Sequence, residues 1–85
     1  MTQEELEANG IIATTYSLEN SDIKVESRGG GAWAVVKAGS LCLNTDWEWE
    51  YEPLPSSRRQ DFFERCRFDL SEALQKAVEA RKKSP

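Results

Sequence analysis

Apolar and polar residues alternate with a period of two along the first 52 residues of the chain, which is the spacing that favours β-strands. Turn-forming residues interrupt the alternation at 19–22 (ENSD), 29–31 (GGG), 38–39 (AG) and 44–46 (NTD). The segments between these turns are 11–18, 23–27, 32–37, 40–44 and 47–52. Within 23–27 the alternation places Ile23 and Val25 on the inner face. The sequence therefore predicts an antiparallel meander of four or five short strands.

The pattern changes after Pro53, because Pro53 and Pro55 cannot continue a central strand. Ser57 and Gln60 have the spacing of a capping box, in which a hydroxyl and an amide satisfy backbone donors at the start of a helix. This spacing predicts a short helix that carries Phe62, Phe63 and Cys66.

A second helix is predicted after Phe68, with Asp69 as its N-cap. Its apolar stripe has helical spacing and consists of Leu70, Ala73, Leu74, Ala77 and Val78. We expect this stripe to bury against one face of the sheet beside Trp49 and Tyr51.

The length of 85 residues suffices for one domain with one core. Residues 1–10 are predicted to be flexible or a short helix, and residues 11–85 a single domain. A meander followed by a short helix and a C-terminal amphipathic helix, packed on one sheet face, is an α+β fold.

Charge is distributed unevenly around the overall net charge of −4. Residues 1–52 hold ten acids and three bases, whereas residues 53–85 hold five acids and eight bases. Two interpretations stay open at this point. The asymmetry marks surfaces for charged partners, or the acidic half of the chain packs against the basic half.

The most regular acidic segment is 45–53 (TDWEWEYEP). In a strand, Glu48, Glu50 and Glu52 form a row on one face at about 6.5–7 Å spacing, with Asp46 near its start and Trp47 at the turn. We interpret these five residues as a binding surface for a partner with a basic surface, and we expect no nearby cation to neutralise the row. The alternative is a solvated outer face over an aromatic core.

A second candidate surface consists of the arginines Arg58, Arg59, Arg65 and Arg67, which suit phosphate contacts and hence nucleic acid. Acids are interleaved with these arginines at Asp61, Glu64 and Glu72. We therefore expect most of the arginines to form internal salt bridges, with nucleic-acid binding as the alternative.

The remaining composition argues against catalysis. The chain has no histidine, and Cys42 and Cys66 lie far apart in sequence, so we expect buried free thiols and no metal site or cofactor. The triple glycine lacks the residues of a phosphate-binding loop. No apolar run has the length of a membrane span and no export signal is visible, so we expect a cytoplasmic protein that is not an enzyme.

Several short words between Trp33 and Val78 resemble a group of small uncharacterised proteins from phages and prophages. These words are WAV (33–35), CLN (42–44), WEYEP (49–53), PSSR (55–58), RF (67–68) and EA (72–73). The resemblance implies an inhibitor of a bacterial defence system, of the anti-CRISPR type, acting in the host cytoplasm. It also implies a glycine after Asp46, where this chain has Trp47.

The first functional hypothesis is thus a protein-interaction module that binds a basic host protein through the acidic strand face. The alternatives are a nucleic-acid-binding accessory protein that uses the arginine-rich side, and a structural or homodimerising protein without a ligand.

Overall fold

The computed structural model describes residues 2, 5, 8–10 and 14–83, and the predicted strand residues 11–13 lie outside them, as does half of the predicted N-terminal segment 1–10. The strands are β1 (Thr15–Ser17), β2 (Lys24–Ser27), β3 (Trp33–Lys37), β4 (Leu41–Leu43) and β5 (Trp49–Tyr51). After β5 come a 3-10 turn (Pro55–Ser57), α1 (Gln60–Cys66) and α2 (Leu70–Lys83). The strands pair antiparallel in the order of the sequence, which confirms the predicted α+β meander.

One face of the sheet, called the α2 face here, carries the larger part of the core. Its buried strand residues are Ile23, Val25, Trp33, Val35 and Leu43. Val25 lies opposite Val35 and both are fully buried, so the predicted inward face of β2 is confirmed. The helix α2 covers this face with alanines at 73, 77 and 80. Because a methyl group is small, the helix lies close to the sheet.

The opposite face, called the α1 face here, is also covered. Ala34, Val36 and Cys42 point to this face and pack with Phe62 and Cys66 of α1. Both cysteines are buried free thiols, as predicted. The connection between the helices pairs with the start of β3, since the Trp33 N–H donates to the Phe68 carbonyl over 2.8 Å. The alternative of a solvated outer face therefore does not hold where α1 covers β3 and β4.

The predicted stripe of α2 is correct in part. Ala77 is fully buried, and Leu70 and Leu74 pack at the edge of the core together with Trp49. Tyr51 was expected in the core, but 65% of its surface is exposed. The reason is that α2 packs against β2 and β3, whereas Tyr51 ends β5, the edge strand that β4 separates from β3.

Of the two predicted N-caps, one is confirmed and one is wrong. Asp69 caps α2, since its Oδ1 accepts the N–H of Glu72 at 2.8 Å. Ser57 does not cap α1, because it belongs to the 3-10 turn, and α1 begins after Arg59 with no side-chain cap. The β3–β4 turn is also longer than the two residues expected, since Lys37 pairs with Leu41 and leaves three residues between them.

The close approach of α2 gives a first prediction. Ala77→Leu adds three carbons where helix and sheet touch, so we expect the free energy of unfolding to fall by about 1–3 kcal/mol. The matched control is Gln75→Leu, which places the same side chain at an exposed position of the same helix. Urea denaturation measures both variants. Equal midpoints for the two variants would contradict the close packing of α2 on the sheet.

Candidate partner-binding surface

The turn between β4 and β5 is organised by one buried side chain, Asn44. Its Oδ1 accepts the backbone N–H groups of Asp46 and Glu48, each at 2.9 Å. Its amide nitrogen donates to Glu50 Oε2 at 2.8 Å. A side chain that bonds its own following backbone in this way fixes a tight turn. Asp46, Trp47 and Glu48 are thereby held at the surface, where all three are exposed.

Trp47 has a backbone angle φ of 63°, in the left-handed region that favours glycine. The sequence resemblance implied a glycine at this position, and the backbone of Trp47 has a conformation that glycine adopts more readily. Two ammonium groups of α2 lie over the indole ring: Nζ of Lys76 is 4.4 Å from the ring centroid, and Nζ of Lys83 is 4.1 Å from it. A bulky residue in this region costs about 1 kcal/mol or more. The ring is therefore held in a defined place on a strained turn.

Glu50 is not a free member of an acidic row. Arg65 donates three hydrogen bonds to it, from Nε to Oε2 at 2.8 Å and to Oε1 at 3.1 Å, and from Nη2 to Oε1 at 2.9 Å. The hydrogen bonds from Arg65 lower the pKa of Glu50 to about 2, and the bond from Asn44 contributes in the same direction. The position of Glu50 on the α1 face, opposite Cys42, brings it within reach of α1.

Glu52 lies at the centre of three guanidinium groups, called the arginine cluster here. The Nη2 atoms of Arg28 and Arg67 each lie 2.8 Å from a Glu52 oxygen, and Nη2 of Arg58 lies 3.8 Å away. Only 12% of the Glu52 side chain is exposed. Burial raises the pKa of Glu52, but the hydrogen bonds and charge of Arg28 and Arg67 outweigh burial and hold it below its ordinary value.

The prediction of an unneutralised acidic row is thus wrong for Glu50 and Glu52. Asp46 and Glu48 keep part of the predicted state, since both are exposed and form no ion pair with any described residue, although Lys76 and Lys83 lie over the ring of the intervening Trp47. The physical reason is that α1 folds back over the face of β5 that was expected to be open. The alternative interpretation of the charge asymmetry, internal packing of the acidic half on the basic half, describes these contacts.

The second predicted surface is largely occupied by the same pairs. Arg58, Arg65 and Arg67 all reach Glu50 or Glu52, and Arg67 also stacks on the Phe62 ring at 5.0 Å. Arg59 is the exception, since it is exposed and forms no ion pair with a described residue. The expectation that most of the arginines form internal salt bridges is confirmed.

The exposed apolar side chains were largely missed by the sequence reasoning. Among the described residues, the large hydrophobic side chains that are exposed are Trp47 (39%), Tyr51 (65%), Leu54 (68%) and Phe63 (39%). All four lie between residues 47 and 63. A signal for Leu54 was present, since it stands between two prolines and outside any periodic segment. A signal for Phe63 was its position beside Phe62 on a helix of seven residues that buries one side.

β5 is an edge strand, because the described residues place no strand on its outer side. On its inner side, Glu52 donates its N–H to the Ser40 carbonyl at 2.8 Å, and the Glu48 carbonyl accepts from Asn44 at 3.0 Å. Pairing alternates along an antiparallel strand. The backbone N–H and C=O groups of Trp49 and Tyr51 therefore point outward, away from β4.

A groove of about 210 Å³ runs beside this edge. Its lining residues are Glu50, Tyr51, Pro53, Ser57, Arg59, Asp61, Phe62 and Arg65. This lining combines apolar residues with charged groups of both signs, which is the character of a protein-contact surface rather than of a closed pocket.

The described residues hold no group of side chains that could bind a metal ion. Burial raises the pKa of both thiols, Cys42 and Cys66, and so disfavours the reactive thiolate form. Every buried side-chain polar atom in the described part has a hydrogen-bond partner.

No family model, curated protein or solved structure matches the chain. Within the described residues, no helix combines the length and the apolar character needed to cross a membrane.

The arginine cluster generates the second prediction. Glu52→Gln removes the one carboxylate that three buried or half-buried guanidinium groups share, so we expect a loss of about 3 kcal/mol in the free energy of unfolding. Glu48→Gln makes the same chemical change at an exposed, unpaired position of the same row and should cost less than about 0.5 kcal/mol. Chemical denaturation of both variants at pH 7 measures the difference. A small effect of Glu52→Gln would show that the cluster does not hold the sheet to α1.

The third prediction concerns pH. The folded-state pKa of Glu50, about 2, lies below its ordinary value of 4.5. The stability that this difference provides is complete above about pH 4.5, and it is lost as the pH falls from there toward 2. We expect the free energy of unfolding of Glu50→Gln to fall less steeply across this window than that of the unmodified chain. Parallel slopes for the two proteins would contradict the assignment.

Proposed function

We propose that this protein is a non-catalytic interaction module that binds a partner protein along the open side of β5. The contact residues form what we call the edge surface, which consists of Asp46, Trp47, Glu48, Tyr51, Leu54 and Phe63. One observation carries the proposal: among the described residues, all the large hydrophobic side chains that are exposed belong to this one stretch of chain. Exposed large apolar groups in one stretch of chain that includes an edge strand are a feature of contact sites.

The residue types of the edge surface support the proposal. Trp and Tyr are the side chains that most often dominate interface energetics. Trp47 is also held in place before binding by Lys76 and Lys83, so less side-chain entropy is lost when a partner covers the ring. A strained backbone at an exposed aromatic residue is more readily understood as a requirement of binding than as one of stability.

Charge favours a basic partner. Asp46 and Glu48 flank Trp47, are exposed and lack ion-pair partners among the described residues. The chain as a whole carries a net charge of −4. Such a surface attracts a basic protein and increases the association rate. The predicted acidic row contributes less to the attraction of a basic partner than expected, because arginines already neutralise Glu50 and Glu52.

The biological setting rests on the resemblance to small phage and prophage proteins. We infer that the partner is a protein of the bacterial host cytoplasm, and that binding occludes a basic, nucleic-acid-binding surface of a defence system, as an anti-CRISPR-type inhibitor does. The acidic net charge and the exposed Asp46 and Glu48 support this inference.

A second candidate function is nucleic-acid binding, and the observation that favours it is Arg59, which forms no ion pair with a described residue and lines the same groove as the exposed Tyr51. A ring for stacking and a cation for phosphate are the usual components of such a site. Of the four candidate arginines, only Arg59 forms no ion pair with a described residue, and one such arginine on an acidic protein is a weak phosphate site, so we favour the protein partner. Electrophoretic mobility of single- and double-stranded nucleic acid at low and moderate salt separates the two functions.

The fourth prediction tests the edge surface with Trp47→Gly. Glycine relieves the strain of the left-handed backbone while it removes the ring and its contacts to two lysines, so we expect unfolding free energy to change by less than about 1 kcal/mol. Binding of a protein captured from bacterial lysate should be lost, mainly through faster dissociation. Asp46→Asn combined with Glu48→Gln should instead slow association and reduce its salt dependence.

The matched control is Glu19→Gln, which neutralises an exposed acid at the β1–β2 turn, beside the other edge strand. It should retain every captured protein. If the captured proteins are the same for all variants, the edge surface is not the binding site. If Trp47→Gly unfolds the protein, the ring has a structural role.

A further inference from the structure

We propose that the partner contributes a β-strand to this sheet: an extended segment, alternating basic and apolar residues, pairs with the outer edge of β5. This inference rests on the proposed function, because it specifies how the edge surface binds. It does not follow from that function, since the same side chains could equally contact a helix or a loop.

The backbone of β5 is suited to receive a strand. Trp49 and Tyr51 direct their N–H and C=O groups outward, which gives two donors and two acceptors spaced as in a sheet. Pro53 is the next outward position, and it has no N–H to donate. The open edge is therefore short, and it suits a segment of about four residues. Main-chain bonds of this kind provide affinity, while alternate side chains provide specificity.

The two sides of the edge select different side chains. On the α1 face, Glu48 is exposed and without an ion pair among the described residues, and Asp61 is 75% exposed and shares Arg65 with Glu50. A Lys or Arg of the added strand would meet carboxylates there. On the α2 face, Tyr51 offers an exposed ring, while Lys37 lies over the Trp49 ring at 4.6 Å. An apolar residue suits that side.

The same charges disfavour a second copy of this chain as the occupant. Antiparallel pairing of two β5 strands about Glu50 would align Glu48 of each strand with Glu52 of the other and bring the two Glu50 side chains together. Glu50 and Glu52 are already paired with arginines, so this arrangement offers the exposed Glu48 a further carboxylate and no free cation as its neighbour. Like charges opposite each other destabilise a pair of strands. A basic segment removes this repulsion and adds attraction.

The probe is a synthetic eight-residue peptide of alternating Lys and Val, titrated into the full-length protein and followed by backbone amide resonances. We expect the largest shifts at Trp49 and Tyr51, with slower solvent exchange of both amides. The peptide of alternating Glu and Val and the fully N-methylated basic peptide should each bind at least about tenfold more weakly, the equivalent of one lost hydrogen bond or more.

Substitutions at Tyr51 separate backbone pairing from side-chain contact. Tyr51→Pro removes an outward N–H without removing a bond to β4, so peptide affinity should fall about tenfold or more. Tyr51→Val keeps the N–H and loses the ring, so it is the reference for the side-chain contribution, and Tyr51→Pro should bind at least about tenfold more weakly than Tyr51→Val. Ser17→Pro places the same change on the outer position of the other edge strand, β1, and should have no effect.

Three results would overturn the inference: no binding of the basic peptide, shifts centred away from β5, or equal binding of the N-methylated peptide. The last result remains decisive if Tyr51→Pro does not fold. Self-association through β5, seen by sedimentation and abolished by Tyr51→Pro, would replace the basic segment by a second copy. A loss of captured protein on Trp47→Gly, together with any of these results, would leave the proposed function intact and reject strand addition alone.

Discussion

The structure depends on the shared use of one carboxylate, that of Glu52, by three arginines from separate parts of the chain. Arg28 follows β2, Arg58 follows the 3-10 turn and Arg67 follows α1, so a single acid ties together segments that the order of the sheet keeps apart. Two strands, β3 and β4, lie between β2 and β5. Removing a partner from so buried a set leaves an uncompensated charge, which destabilises a protein by about 3–5 kcal/mol.

This constraint decides how the second face of the sheet is covered. Because Arg65 and Arg67 pair with Glu50 and Glu52, α1 lies across the face opposite α2, and Phe62 and Cys66 complete a second small core there. Most side chains of the predicted arginine surface are then paired with Glu50 and Glu52 of the predicted acidic row. The neutralised pairs cannot attract a partner from a distance, so long-range attraction falls to the exposed Asp46 and Glu48.

Much of the fold follows from local patterns in the sequence. The alternation at Ile23 and Val25 and the cap at Asp69 each depend on neighbouring residues alone, and both are present in the structure. The pairing of Glu50 with Arg65 depends on where α1 comes to lie, which no local pattern encodes. Tyr51 shows the same limit, since strand alternation places it correctly on the face of Trp49. Its exposure follows from the position of α2, which no residue near Tyr51 specifies.

Trp47 connects the fold to the proposed function. Its turn requires a glycine-like backbone, and stability alone would be served by glycine, since the buried Asn44 already closes the turn through its side chain. The two lysines that lie against the ring offset part of the free-energy cost of the left-handed backbone at Trp47. Their contacts also hold the exposed indole in one orientation. A strained turn, a positioned ring and two unpaired acids beside it form an anchor that is organised before any partner arrives. The free edge of β5 begins two residues further along, so one partner segment can contact the ring and pair with the strand at the same time.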